Sequence, residues 1–139
     1  MANAFFVTNA VAQGMLNSTG LAEAIGASGK LNIYSGTAPA NADATNSGTL
    51  LAALTLAAAP FSGFTDTGSA GRATLGAVSS ATASATGTAS FFRITTSGGT
   101  VIAQGTVATS SADLVLNSIA ITSGSTVAVS SGTIDMPEG

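Results

Sequence analysis

The stretch Ala89-Ser90-Phe91-Phe92-Arg93-Ile94-Thr95, then Thr96-Ser97-Gly98-Gly99-Thr100, then Val101-Ile102-Ala103-Gln104-Gly105-Thr106-Val107-Ala108 reads as two strands around a turn. Phe, Ile, Val and Thr suit a pleated, half-buried surface. Adjacent Gly98 and Gly99 allow the positive φ that a tight hairpin requires. Arg93 lies between Phe92 and Ile94, so the alternation of a strand puts it on the opposite face from them.

Downstream, Asp113 to Ile121 and Thr126 to Ile134 continue the pattern. Leu114, Leu116 and Ser118 oppose Val115, Asn117 and Ile119, and Thr122-Ser123-Gly124-Ser125 supplies a second turn. The last four strands therefore read as an antiparallel meander. Upstream, Leu31 to Ser35, Thr49 to Leu56 and Arg72 to Val78 are β-prone segments bounded by Gly, Ser, Asn and Pro. Two stretches are irregular: Ala57 to Gly71, which carries Phe61 and Phe64, and the Ala/Ser/Thr run Ser79 to Thr88. If those phenyl rings stand exposed on the isolated chain, a neighbouring chain should cover them.

The N-terminal part differs. Val7, Val11 and Met15 recur every four positions, one face of a helix over Ala4 to Leu16. Leu21 to Ile25 adds a further turn with Glu23 near its N-terminus, and Gly26 and Gly29 end the helical region. Such a helix covers one end of a sheet, or Phe5 and Phe6 dock it onto a neighbour. The expected fold is mainly β: an antiparallel β-sandwich or barrel-like domain with a short N-terminal helix. A single domain spans residues 1–139, with a helical segment over 4–26 and a β-domain over 30–135.

Composition narrows the function. The 139 residues are 45% hydrophobic, enough for one core, yet only 6% are charged, against about 25% in ordinary soluble proteins. Lys and Glu are depleted in the centres of protein interfaces because their charges are costly to desolvate. A surface poor in them suits lasting contact with neighbours, or a free β-domain solvated by Ser and Thr hydroxyls. The cations are Lys30, Arg72 and Arg93 in a chain of net charge −3, too few for phosphate-backbone binding. No export signal and no membrane-spanning run is read: Thr8, Asn9, Gln13 and Asn17 interrupt the early apolar residues, and Leu50 to Ala59 is too short.

Absent residue types exclude much chemistry. With no His and no Cys, the commonest general base, thiol nucleophiles, disulfides and the usual zinc ligands are missing. The carboxylates Glu23, Asp43, Asp66, Asp113, Asp135 and Glu138 are accompanied by no Trp and one Tyr, a poor lining for a sugar cleft. Asp43-Ala44-Thr45-Asn46-Ser47-Gly48 offers oxygen ligands without the alternation and closing Glu of a calcium loop, and an Asx turn explains it more simply. No catalytic residue, metal or cofactor is expected. Arg93, in an uncharged region, calls for a partner, with Asp113 as the candidate; otherwise it is an exposed guard against edge pairing.

The stretch Lys30-Leu31-Asn32-Ile33-Tyr34-Ser35-Gly36-Thr37-Ala38-Pro39-Ala40-Asn41-Ala42-Asp43, followed by Gly48-Thr49-Leu50-Leu51-Ala52, resembles short virion structural proteins of tailed bacteriophages and prophages. Gly87-Thr88-Ala89-Ser90-Phe91-Phe92-Arg93-Ile94 and Ser111-Ala112-Asp113-Leu114-Val115-Leu116-Asn117 look like further blocks of that family, whose members mostly lack an assigned activity. The chain departs from it in carrying fewer charges. The resemblance implies a virion component assembled in the host cytoplasm. It would be a capsid decoration, or cement, protein whose partners are further copies of itself and the major capsid protein. A tail, collar or adaptor subunit is the alternative, and a host-surface adhesin or fibre tip the third. Interface candidates are Phe5, Phe6, Phe61, Phe64, Arg93 and Asp113.

Overall fold

The hairpin read around Gly98-Gly99 is present. Thr96 N donates to Thr100 O at 2.9 Å and Gly99 N to Thr96 O at 3.0 Å, with Gly99 at φ +97°. The computed structural model describes residues 5–8, 20–68 and 70–137. In chain order its elements are β1 (Phe6–Val7), α1 (Leu21–Ile25), β2 (Lys30–Ser35), β3 (Thr49–Leu56), β4 (Phe61–Asp66), β5 (Ala70–Leu75), β6 (Val78–Ser79), β7 (Ala81–Thr82), β8 (Gly87–Thr95), β9 (Val101–Ala108), β10 (Leu114–Leu116), β11 (Ala120–Ile121), β12 (Thr126–Val127) and β13 (Val129–Pro137). None of the described helices is long and apolar enough to cross a membrane.

The strands form one curled mixed sheet, a half-barrel, in the order β4-β5-β13-β10-β9-β8-β2-β3-β6; β1 adds to β9 and β11 to β8. A separate two-stranded ribbon pairs β12 with β7. The central strands carry Leu31, Ile33, Leu54, Phe92, Ile94 and Ala103 on one face, where cross-strand partners align: Leu31 with Leu54 and Ile94, Ile33 with Phe92. These side chains are buried, and Ile25 of α1 packs among them. Gly105 lies opposite Phe92, and a Cβ there would stand 2.6 Å from the ring, so only glycine leaves the ring room.

The structure corrects the sequence reading in three places. First, the helix expected from Ala4 is a strand at Phe6–Val7, which pairs antiparallel with Gln104 and Ala103. The edge of β9 would otherwise leave its polar backbone unpaired there, because β10 joins that strand only at Val107. Residues 9–19 of the expected helix lie outside the described residues, whereas Leu21–Ile25 is helical as read, ending at Gly26 with φ +72°.

Second, the last strands are not an antiparallel meander. β10 runs parallel to β9, with Leu114 opposite Val107, and antiparallel to β13. The expected strand Asp113 to Ile121 divides into β10 and β11, and the turn at 122–125 joins β11 and β12, which pair with β8 and β7 rather than with each other. A short parallel step makes the chain double back, and Ser111 takes φ +54° in that bend. Asp113 holds it: its Oδ2 accepts from Thr106 N and Oγ1, both at 2.9 Å, and Thr133 N donates to its carbonyl at 3.0 Å.

Third, the stretch read as irregular between Ala57 and Gly71 contains β4, antiparallel to β5. β5 ends at Leu75, where Gly76 N donates to Pro60 O at 2.8 Å, so the expected strand to Val78 is cut short.

Candidate protein-contact face

The outer end of the sheet, β4-β5-β13, has two unlike faces. Cross-strand partners share a face, and a bulge lies between Phe61 and Gly63. Phe61 is opposite Leu75 and Phe64 opposite Ala73, so these phenylalanines, three apart, project from the same side. Ala73 is also opposite Ile134, which makes a row Phe64, Ala73, Ile134. Leu75 lies above Gly132, where a Cβ would stand 2.3 Å from its Cδ1; the missing side chain lets Leu75 reach Leu114 across β13.

The other face is polar. It carries Thr65, Arg72 and Asp135 in register. Arg72 Nε and Nη2 donate to the two oxygens of Asp135 at 2.7 and 2.8 Å. That hydrogen bond, reinforced by charge, raises the arginine's pKa and lowers that of the carboxyl. Being partly exposed, the pair mainly fixes strand register.

On the apolar face α1 covers only part of the sheet. Leu21 and Ala22 form one wall of a groove of about 400 Å³, Phe61, Phe64, Ala73 and Ile134 form much of the rest, and Thr65, Gly71 and Arg72 also line it. An engineered cavity of about 150 Å³ accepts benzene, so this one has room for a large side chain. Phe61 is 9% exposed and Phe64 72%. The rings meet edge to face with centroids 6.1 Å apart. Phe64 therefore stands at the mouth of the groove with one side packed and the other open.

Arg93 and Asp113 do structural work away from this groove. Arg93 is 5% exposed, so it does not guard an edge. Nor is Asp113 its hydrogen-bond partner: Arg93 Nε donates to Gln104 Oε1 at 2.9 Å, and Nη2 to the carbonyls of Ala44 at 2.6 Å and Asn41 at 3.3 Å. Gln104 Nε2 donates to Pro39 O at 2.9 Å. The pair thus ties the loop between β2 and β3 across the sheet. Burial lowers the pKa of Arg93, opposed by Tyr34 and Asp43, yet a guanidinium stays charged. Inside the loop, Asn41 Oδ1 accepts from the amides of Asp43 and Ala44, and Asn46 Oδ1 from that of Gly48, the geometry of Asx turns. Asp113 is 2% exposed and clamps the parallel step; its Oδ1 has no hydrogen-bond partner among the described residues. Phe5 packs partly buried against the core, and Phe6 lies in β1.

Of the candidates, the structure brings Phe61 and Phe64 together. Leu21, Ala22, Ala73 and Ile134 complete the face without having been singled out in the sequence. The spacing of the phenylalanines was the available signal, and it needed the bulge to make sense. Comparison with family models, with curated proteins and with solved structures found no match to this chain.

Proposed function

We propose that this chain is a non-enzymatic structural subunit of a tailed-bacteriophage particle. It acts as a single barrel-like β-domain that decorates the head by packing on the major capsid protein beside further copies of itself. The observation that carries the reading is Phe64, 72% exposed at the mouth of an apolar groove on a chain only 6% charged. Burying a phenyl ring gains roughly 1.5–3 kcal/mol, and a ring anchored against a second aromatic loses little freedom on binding. Repeated over many copies on a shell, one modest contact adds up through multivalency. The resemblance in Lys30–Ala52, Gly87–Ile94 and Ser111–Asn117 supplies the phage setting.

The test is a particle map at side-chain resolution together with Phe64→Ser. We expect density for the chain on the outer capsid lattice with the Phe64 face against its neighbour, and particles stripped of the variant. A position only in the tail, or absence from particles, refutes decoration.

A further inference from the structure

The groove runs beside an open strand edge. β4 is the terminal strand of the sheet, and among the described residues nothing pairs with its outer side. Natural edges are commonly blunted by Lys, Pro or a bulge. Here the bulge lies at the start, no Lys or Pro occurs in Phe61–Asp66, and Gly63-Phe64-Thr65-Asp66 continues in regular register with β5. Such an edge offers main-chain donors and acceptors to an extended segment, while the adjoining groove takes one of its side chains.

Charge around the groove selects the segment. Asp66 is directly opposite Gly71, which lines the groove, and Glu23 follows the lining residue Ala22 on α1 and is exposed. The one cation in the lining, Arg72, is already matched by Asp135. The surroundings of an apolar floor are thus acidic. A second copy is a poor occupant: Lys30, Arg72 and Arg93 all lie on strands paired on both sides, so among the described residues no free edge carries a cation.

We propose that β4 adds an extended strand from a different protein, an alternating apolar segment flanked by Lys or Arg, which places one large side chain in the Phe61–Phe64 groove. This rests on the Phe64 face being the contact surface and specifies how it binds.

The probe is a random twelve-residue peptide library, selected by mRNA display on the full chain and in parallel on Phe64→Ser and on Glu23→Gln/Asp66→Asn. Phe64 is exposed, and Asn at 66 keeps an oxygen for the Gly68 amide that Asp66 Oδ1 now accepts from at 2.7 Å, so both variants should fold. We expect enriched peptides with basic flanks, recovered about thirty-fold less well on Phe64→Ser, the scale of a truncated hot-spot aromatic. Recovery should also fall on the charge variant, and methylating alternate backbone amides of a selected peptide should abolish binding. Enrichment of acidic peptides, or none that depends on Phe64, overturns the proposal. So does dimerisation of the free chain through this face, or slow amide exchange on the outer side of β4 in the free monomer, which would mean the chain fills the edge itself. If Phe64→Ser still strips the protein from particles while the selection yields nothing, the contact face stands and strand addition falls.

Discussion

Arg93→Ala should release the loop between β2 and β3 and cost about 3 kcal/mol. The substitution removes bonds to Gln104 Oε1 and to the carbonyls of Asn41 and Ala44. Gln104 is 2% exposed, so its oxygen stays buried without a donor, a penalty of about 1–3 kcal/mol; the loop carbonyls, once freed, regain water, so their lost bonds add only about 1 kcal/mol in all. In a chain of this size a loss of 3 kcal/mol lowers Tm by roughly 10 °C. The companion Arg93→Met/Gln104→Leu removes both polar partners and leaves no orphan between them, so it should recover to within about 1 kcal/mol of the parent. It still frees the carbonyls of Pro39, Asn41 and Ala44, so hydrogen exchange at the Asp43 and Ala44 amides should quicken in both variants. Thermal unfolding with amide exchange reads both effects. A fall in Tm below about 3 °C for Arg93→Ala with unchanged loop exchange would refute the tie, and a double variant no more stable than the single would refute the orphaned-oxygen account.

Gly105→Ala should destabilise by about 1–3 kcal/mol through overpacking, because the added Cβ meets Phe92 at 2.6 Å; urea midpoints should show the loss shrinking when Phe92→Leu is combined with it. Asp113→Ala should cost about 2–4 kcal/mol, leaving the Thr106 amide without its acceptor; a Tm unchanged relative to the parent would show that β10 keeps its parallel register unaided. Arg72→Gln tests the pH dependence of the polar face. Asp135 has its pKa lowered in the folded state by the Arg72 hydrogen bond, so its contribution is present above the unfolded value of about 3.9 and lost as pH falls through the folded one. Parent and variant should therefore differ at pH 7, begin to approach each other near about pH 4 and converge only below the lowered folded-state pKa of Asp135, and a difference that persists under still more acidic conditions would contradict the assignment.

The hairpin was legible because its signals are local: β-branched and aromatic residues flanking Gly98-Gly99. The same holds for the Leu21–Ile25 turn, which Gly26 closes. What escaped reading depends on groups the sequence does not distinguish. Arg93 asks for a negative partner, and in the sequence the carboxylate of Asp113 looks like one, but Arg93 instead donates to the neutral Gln104 side chain and to backbone carbonyls of Asn41 and Ala44, which every residue possesses. Asp113 in turn satisfies the backbone and hydroxyl of Thr106, seven positions back, and thereby turns an expected antiparallel return into a parallel one. Pro60, Gly63, Gly68 and Gly71 made the stretch that holds β4 read as irregular; one bulged residue keeps it a strand and puts both Phe61 and Phe64 on one side. The candidate contact face was thus half legible: its aromatic residues stood out, while Ala73 and Ile134 became part of it only through strand register.

The scarcity of charge has a positional logic. Arg93 and Asp113 are buried as ties between segments, Arg72 and Asp135 answer each other across neighbouring strands, and Lys30 Nζ donates to Thr55 Oγ1 at 2.8 Å across another strand pair. Lys30, Arg72 and Arg93 thus each secure the fold, and beside the groove stand the acidic Glu23 and Asp66, with no cation paired to either among the described residues. The hydroxyl-rich remainder of the surface is wetted by Ser and Thr. A sheet edge flanked by an exposed phenyl ring, with no lysine or proline to blunt it, invites unwanted pairing in a free chain. An acidic surround limits that pairing between copies by like-charge repulsion and favours a basic strand instead. On the proposed reading, the same two features, apolar floor and acidic rim, would act both against pairing of this edge with its own copy and for a basic strand of a different protein.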